Sequence, residues 1–150
     1  MAVVLDLLAK TLLDAPVGDV EQTVTSILKK STHFQVIEQH PIYKTEHIRK
    51  ISISYEQLPI ILATVKFDSK VLPRHIMSEI LAKKEGIGNI LKKYQIVAHR
   101  KMIRTEITID GKKITRDYEI LNDDTVWFQI HEEMMLDHLS TCKNRRGIPS

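Results

Sequence analysis

Residues 48–67, Ile48-Arg49-Lys50-Ile51-Ser52-Ile53-Ser54-Tyr55-Glu56-Gln57-Leu58-Pro59-Ile60-Ile61-Leu62-Ala63-Thr64-Val65-Lys66-Phe67, decide the fold class. They read as a β-hairpin whose arms, residues 48–55 and 60–67, flank Glu56-Gln57-Leu58-Pro59. Side chains on a strand alternate faces, so Ile51, Ile53 and Tyr55 share one face and Arg49 shares it with them. Two later segments repeat this pattern. In Val126-Trp127-Phe128-Gln129-Ile130-His131-Glu132-Glu133-Met134 the even positions carry Val126, Phe128, Ile130 and Met134, which turns Glu132 inward and Glu133 outward. Arg116 likewise has the parity of Ile114, Tyr118 and Ile120. A buried charge without a partner is expensive. Arg49, Arg116 and Glu132 therefore either form an ion pair within a core or line a cavity for a small polar molecule. Two guanidiniums and a carboxylate suit a small dianion that also carries a hydroxyl.

Outward from the hairpin, the period changes from two to that of a helix. Val4, Leu5, Leu8, Leu12 and Leu13 predict a first helix, stopped by Ala15-Pro16-Val17-Gly18. Asp19 is the predicted cap of a second, with Gln22 as its capping-box partner and Val20, Val24, Ile27 and Leu28 as the apolar stripe. Phe34 to Tyr43 reads as extended, and Pro41 assigns that strand to an edge or to its end. Pro73 opens a helix carrying Ile76, Met77, Ile80 and Leu81, and a short helix follows near Gly88 with Ile90, Leu91 and Tyr94 on one side. Ile103, Thr105, Ile107 and Ile109 alternate up to Asp110-Gly111, and two more strands join at Asn122-Asp123-Asp124. The expected fold is α+β: an antiparallel sheet of about five to six strands with helices on one face.

The 150 residues suffice for one domain, and 43% hydrophobic with 27% charged residues is a globular composition rather than a disordered one. Residues from about 138 to 150, with the run Lys143-Asn144-Arg145-Arg146, read as a flexible basic tail. A formal net charge of +3 is too small to suggest nucleic-acid binding. One cysteine, Cys142, rules out an intramolecular disulfide and fits a reducing compartment. Asp6 interrupts the apolar start, which argues against a secretory signal, and no apolar stretch reaches membrane-spanning length. A cytoplasmic protein is expected, its oligomeric state left open.

Catalytic motifs are sparse. His33, His40 and His47 recur every seven residues, a spacing that alternates faces in extended chain, and no HExxH or paired-cysteine spacing accompanies them. No Gly-x-Ser-x-Gly elbow is present. Gly86-Ile87-Gly88 lets a backbone approach a ligand closely before a helix, or simply ends one helix and starts the next.

Four stretches together give the chain a family resemblance. Thr23-Val24-Thr25 in the second helix, His47-Ile48-Arg49-Lys50-Ile51 with Leu62-Ala63-Thr64-Val65, Gly86-Ile87-Gly88-Asn89-Ile90-Leu91, and Ile130-His131-Glu132 resemble the chorismate pyruvate-lyase family. The family's proline before the glycine step is Gly86 in this chain. The resemblance implies an antiparallel sheet enclosing its ligand beneath helical flaps, and conversion of chorismate to 4-hydroxybenzoate and pyruvate without metal or organic cofactor. It implies Arg49 and Glu132 as catalytic residues, with Arg49 on the ring carboxylate and Glu132 by the C4 oxygen. Val24 and Ile87 would contact the ligand; Arg116 joins them for the second carboxylate through its parity alone. The same fold also serves as a ligand-sensing domain, so a non-catalytic site for an aromatic acid is the alternative.

Overall fold

The computed structural model describes residues 2–16 and 20–147, with side chains for 7–16 and 20–143. Asp19, the expected helix cap, lies outside the described residues, as do the side chains of Val4, Leu5 and Asn144-Arg145-Arg146. Helices α1 (Ala2–Leu13) and α2 (Val20–Leu28) precede strands β1 (His33–Tyr43), β2 (Glu46–Tyr55) and β3 (Leu58–Asp68). Helices α3 (Arg74–Leu81) and α4 (Ile87–Lys93) follow, then β4 (His99–Ile107), β5 (Lys113–Asn122), β6 (Thr125–Met135) and α5 (Leu136–Gly147). The six strands form one antiparallel sheet in the order β1-β2-β3-β6-β5-β4.

Local chemistry explains the turns. Glu56 and Gln57 both have positive φ, the backbone that matches the strand twist in a two-residue hairpin, so the β2–β3 turn is tighter than its sequence suggested. Gly111 supplies the left-handed residue of the β4–β5 connection at φ 71°. Asp123, at φ 53°, does the same between β5 and β6, where a short polar side chain tolerates that conformation. β1 is an edge strand, as Pro41 predicts.

One face of the sheet carries Ile51, Ile53, Ile61, Val65, Phe128, Ile130, Ile114 and Ile120, all buried, and the helices gather over it. α1, α2 and α5 pack on one another, with Leu12, Val24, Leu28 and Leu139 fully buried between them and the sheet. Ile76 and Ile80 of α3 and Ile90 of α4 close the same layer. The other face carries exposed Lys50, Lys66, Gln129 and His131.

α5 corrects the expected flexible tail. From residue 138 to Gly147 the chain is helical, and Leu136, Leu139 and Cys142 are buried at helical spacing. Each of the two leucines contributes about 1.5–3 kcal/mol when removed from water, enough to anchor a segment whose remaining residues are mostly polar.

Candidate functional site

Between the inner face of the sheet and α2 and α4 lies a cavity of about 100 Å³. Its floor is Ile51, Ala63, Val65 and Ile130; Val20 and Glu21 of α2 and Gly86, Ile87 and Gly88 at the start of α4 close it. Three charged side chains enter from the sheet: Arg49 of β2, Glu132 of β6 and Arg100 of β4.

Arg49 is fully buried and has no carboxylate partner in any described ion pair. One terminal nitrogen, Nη2, donates to the Glu85 carbonyl at 2.8 Å, which ties β2 to the α3–α4 connection. Its Nε and Nη1 are buried with no hydrogen-bond partner. The guanidinium lies 5.7 Å from the centre of the Phe34 ring, a cation–π contact from the edge strand. Burial pulls the Arg49 pKa down to about 10, which still leaves it a cation at neutral pH.

Glu132 is held from two sides. Arg116 Nε donates to its Oε1 at 2.6 Å, and the Tyr118 hydroxyl donates to Oε2 at 2.8 Å. Strand register explains the grouping: Arg116 is the cross-strand partner of Glu132, and Tyr118 is the next inward residue on β5. Burial, then the Glu132 charge, push the Tyr118 phenol far above its ordinary range, so it stays a neutral donor. Arg116 and Glu132 form the ion pair, and Arg49 lines the cavity with two nitrogens that have no hydrogen-bond partner.

Arg116 does not line the cavity, contrary to expectation. It is fully buried behind Glu132, with Nη1 and Nη2 lacking hydrogen-bond partners. Its Nε is committed to the cross-strand Glu132. Val24 is fully buried in α2 and does not line the cavity, which Val20 and Glu21 of the same helix reach. Ile87 lines the cavity. Gly86 caps α4 with an ordinary φ of −71°, so this position does not depend on left-handed backbone.

Four charged or aromatic wall residues are not among the expected site residues. Arg100 enters from β4, its Nη2 bound to the Ala15 carbonyl at 3.1 Å and its Nε buried without a partner. Arg100 and Arg116 each lie 5.0 Å from the centre of the Tyr118 ring. Burial and then the neighbouring Arg116 lower the Arg100 pKa. Glu21 has a raised pKa, through burial first and then Glu85. Phe34 and the Tyr118 hydroxyl complete the group. Tyr118 was legible as an inward residue by parity; Arg100 was not, because a register shift between Met102 and Arg104 breaks the alternation of β4.

Among the described residues, no cluster of three or more histidine, cysteine, aspartate or glutamate side chains is placed to hold a metal, and no helix is long and apolar enough to cross a membrane. No family model and no curated protein matches the chain. Among solved structures it is similar to the ligand-binding domain of a GntR-family transcriptional regulator from Bordetella bronchiseptica, at 10% identity and a TM-score of 0.49, over 71% of this chain and 87% of that one. It is also similar to the effector binding domain of the B. subtilis trehalose repressor, at 13% identity and a TM-score of 0.42, over 69% of this chain and 90% of that one.

Proposed function

We propose that this chain binds a small aromatic carboxylate in the cavity between the sheet and α2 and α4. The observation that carries this reading is Arg49, a buried guanidinium on the cavity wall with two nitrogens lacking any protein partner. Such donors are costly to leave unmet, and a planar carboxylate meets them in a fork. Phe34 and the aliphatic floor suit a ring. Glu132, braced by Arg116 and Tyr118, presents an acceptor to a ring hydroxyl. Isothermal calorimetry with 4-hydroxybenzoate and with its uncharged amide tests it. Heat from the acid alone, lost in Arg49→Met, is the expected result; no heat and no thermal shift from any aromatic carboxylate sinks the reading.

A second reading makes the site catalytic: the acid is chorismate, and it leaves as 4-hydroxybenzoate and pyruvate. One observation favours it. Arg100 enters the cavity four strands along the sheet from Arg49, giving cations for two carboxylates instead of one. In this reading Arg49 holds the ring carboxylate and Arg100 the enolpyruvyl carboxylate. Glu132 lies by the ring oxygen, and the backbone at Ile87 confines the ring. The protein's task is then to hold one reactive conformer and stabilise charge at the departing oxygen. Chromatography of chorismate incubations decides between the readings. Product above the spontaneous rate, abolished by Glu132→Gln, makes the protein a lyase; product at the spontaneous rate beside intact 4-hydroxybenzoate binding leaves it a binding domain.

A further inference from the structure

β4 ends the sheet, and among the described residues no strand lies beside its outer edge. Backbone N–H and C=O groups along such an edge are open to pairing with another strand. Nearly all of β4 is exposed, including Met102, Ile103 and Ile107. The opposite edge is blunted: β1 carries two register shifts, and Pro41 offers no N–H. β4 has one shift, between Met102 and Arg104.

The order of charges along β4 selects its partner. Pairing with β5 puts Arg100, Met102, Thr105 and Ile107 opposite buried Ile120, Tyr118, Arg116 and Ile114, hence on the inner face. His99, Lys101, Arg104 and Glu106 are left on the outer face. The outer face thus runs from basic to acidic, and a strand of that kind complements itself when reversed.

We infer that β4 pairs antiparallel with β4 of a second copy of this chain, about a two-fold axis between Ile103 and Arg104, joining two sheets into one. In this register Lys101 faces the second copy's Glu106, and Glu106 faces its Lys101, both on the outer face. On the inner face Met102 faces Thr105, and Arg100 faces Ile107. Shifting the register by one residue sets outer side chains against inner ones. Moving it by two toward the start of the strand sets Lys101 against Arg104, like charge against like. The contact is isologous, so assembly stops at two copies. Because Arg100 also lines the cavity, each site borders the shared edge.

Sedimentation equilibrium of the full chain tests this. A dilution series of the wild type is expected to give twice the 17.3 kDa chain mass at the concentrated end. Lys101→Glu leaves both interacting positions acidic, and Glu106→Lys leaves both basic; each weakens dimerisation about tenfold or more, since two facing pairs turn from attractive to repulsive. Mixing the two variants sets an acidic strand against a basic one, and dimers return. As a measurement independent of those variants, Ile103→Cys is expected to give an interchain disulfide on mild oxidation, and Glu119→Cys, on β5, is not. A monomer mass throughout the wild-type series, a mass beyond the dimer, a dimer indifferent to both charge changes, or a mixture that stays monomeric each overturns the inference.

Discussion

Arg49 and Arg116 have the same burial and opposite circumstances, and substitution separates them. Arg116 serves Glu132, so Arg116→Ala strands a buried carboxylate and is expected to cost about 3–5 kcal/mol in urea denaturation. The double change Arg116→Met, Glu132→Leu removes both charges and recovers most of that loss, without recovering affinity for a hydroxylated acid. Arg49→Met behaves differently: it deletes a cation with unmet donors, so stability holds or rises while the affinity for 4-hydroxybenzoate falls on the order of a hundredfold. A large loss of stability in Arg49→Met would show that the side chain is a structural member and not a vacant ligand site. Parity made the inward direction of Arg49, Arg116 and Glu132 legible from sequence. It did not reveal which arginine Glu132 takes: the turn at Asn122-Asp123-Asp124 sets Arg116 on the neighbouring strand, but how near Arg49 comes depends on the β3–β6 pairing, which no local turn announces.

At the level of elements, α2 and α5 carry the instructive differences. α2 offers Glu21 to the cavity, where burial and Glu85 raise its pKa. The unfolded chain gives up this proton in the ordinary carboxylate range, whereas the folded chain keeps it to higher pH. Glu21 therefore lowers stability as pH rises through that window, and the loss persists above it. Glu21→Gln is expected to melt higher than wild type at neutral pH and together with it below the ordinary carboxylate range, as followed by circular dichroism. A constant difference at all pH values would assign the effect to packing. α5 reads as a flexible basic tail in the sequence because its composition is polar and its buried residues are few. The spacing of Leu136, Leu139 and Cys142 was the available signal, and three positions are too few to stand out without knowing that α1 waits beneath them. Leu139→Ala is expected to cost about 2–5 kcal/mol in chemical denaturation, a loss no flexible tail would produce.

Across the whole molecule, the sheet is assembled from two local pieces joined by one distant pairing. β1-β2-β3 and β4-β5-β6 are each connected by short turns, but β3 meets β6 only after α3, α4 and two strands have intervened. The hairpins are legible in sequence because their turns are local; the β3–β6 seam is not, since it depends on apolar surface that only the folded layers create. Closing that seam is expected to limit folding to the millisecond-to-second range in stopped-flow refolding, with Ile130→Val slowing the folding arm more than Lys50→Ala. The cavity straddles this seam, with Val65 on one side and Ile130 on the other. The unmet donors of Arg49 then acquire a thermodynamic meaning. Whatever anion satisfies them binds the native chain and not the unfolded one, so at a hundredfold excess over its dissociation constant it adds about 2.7 kcal/mol to the folding free energy. On the proposed function, the core of this protein is finished by its ligand.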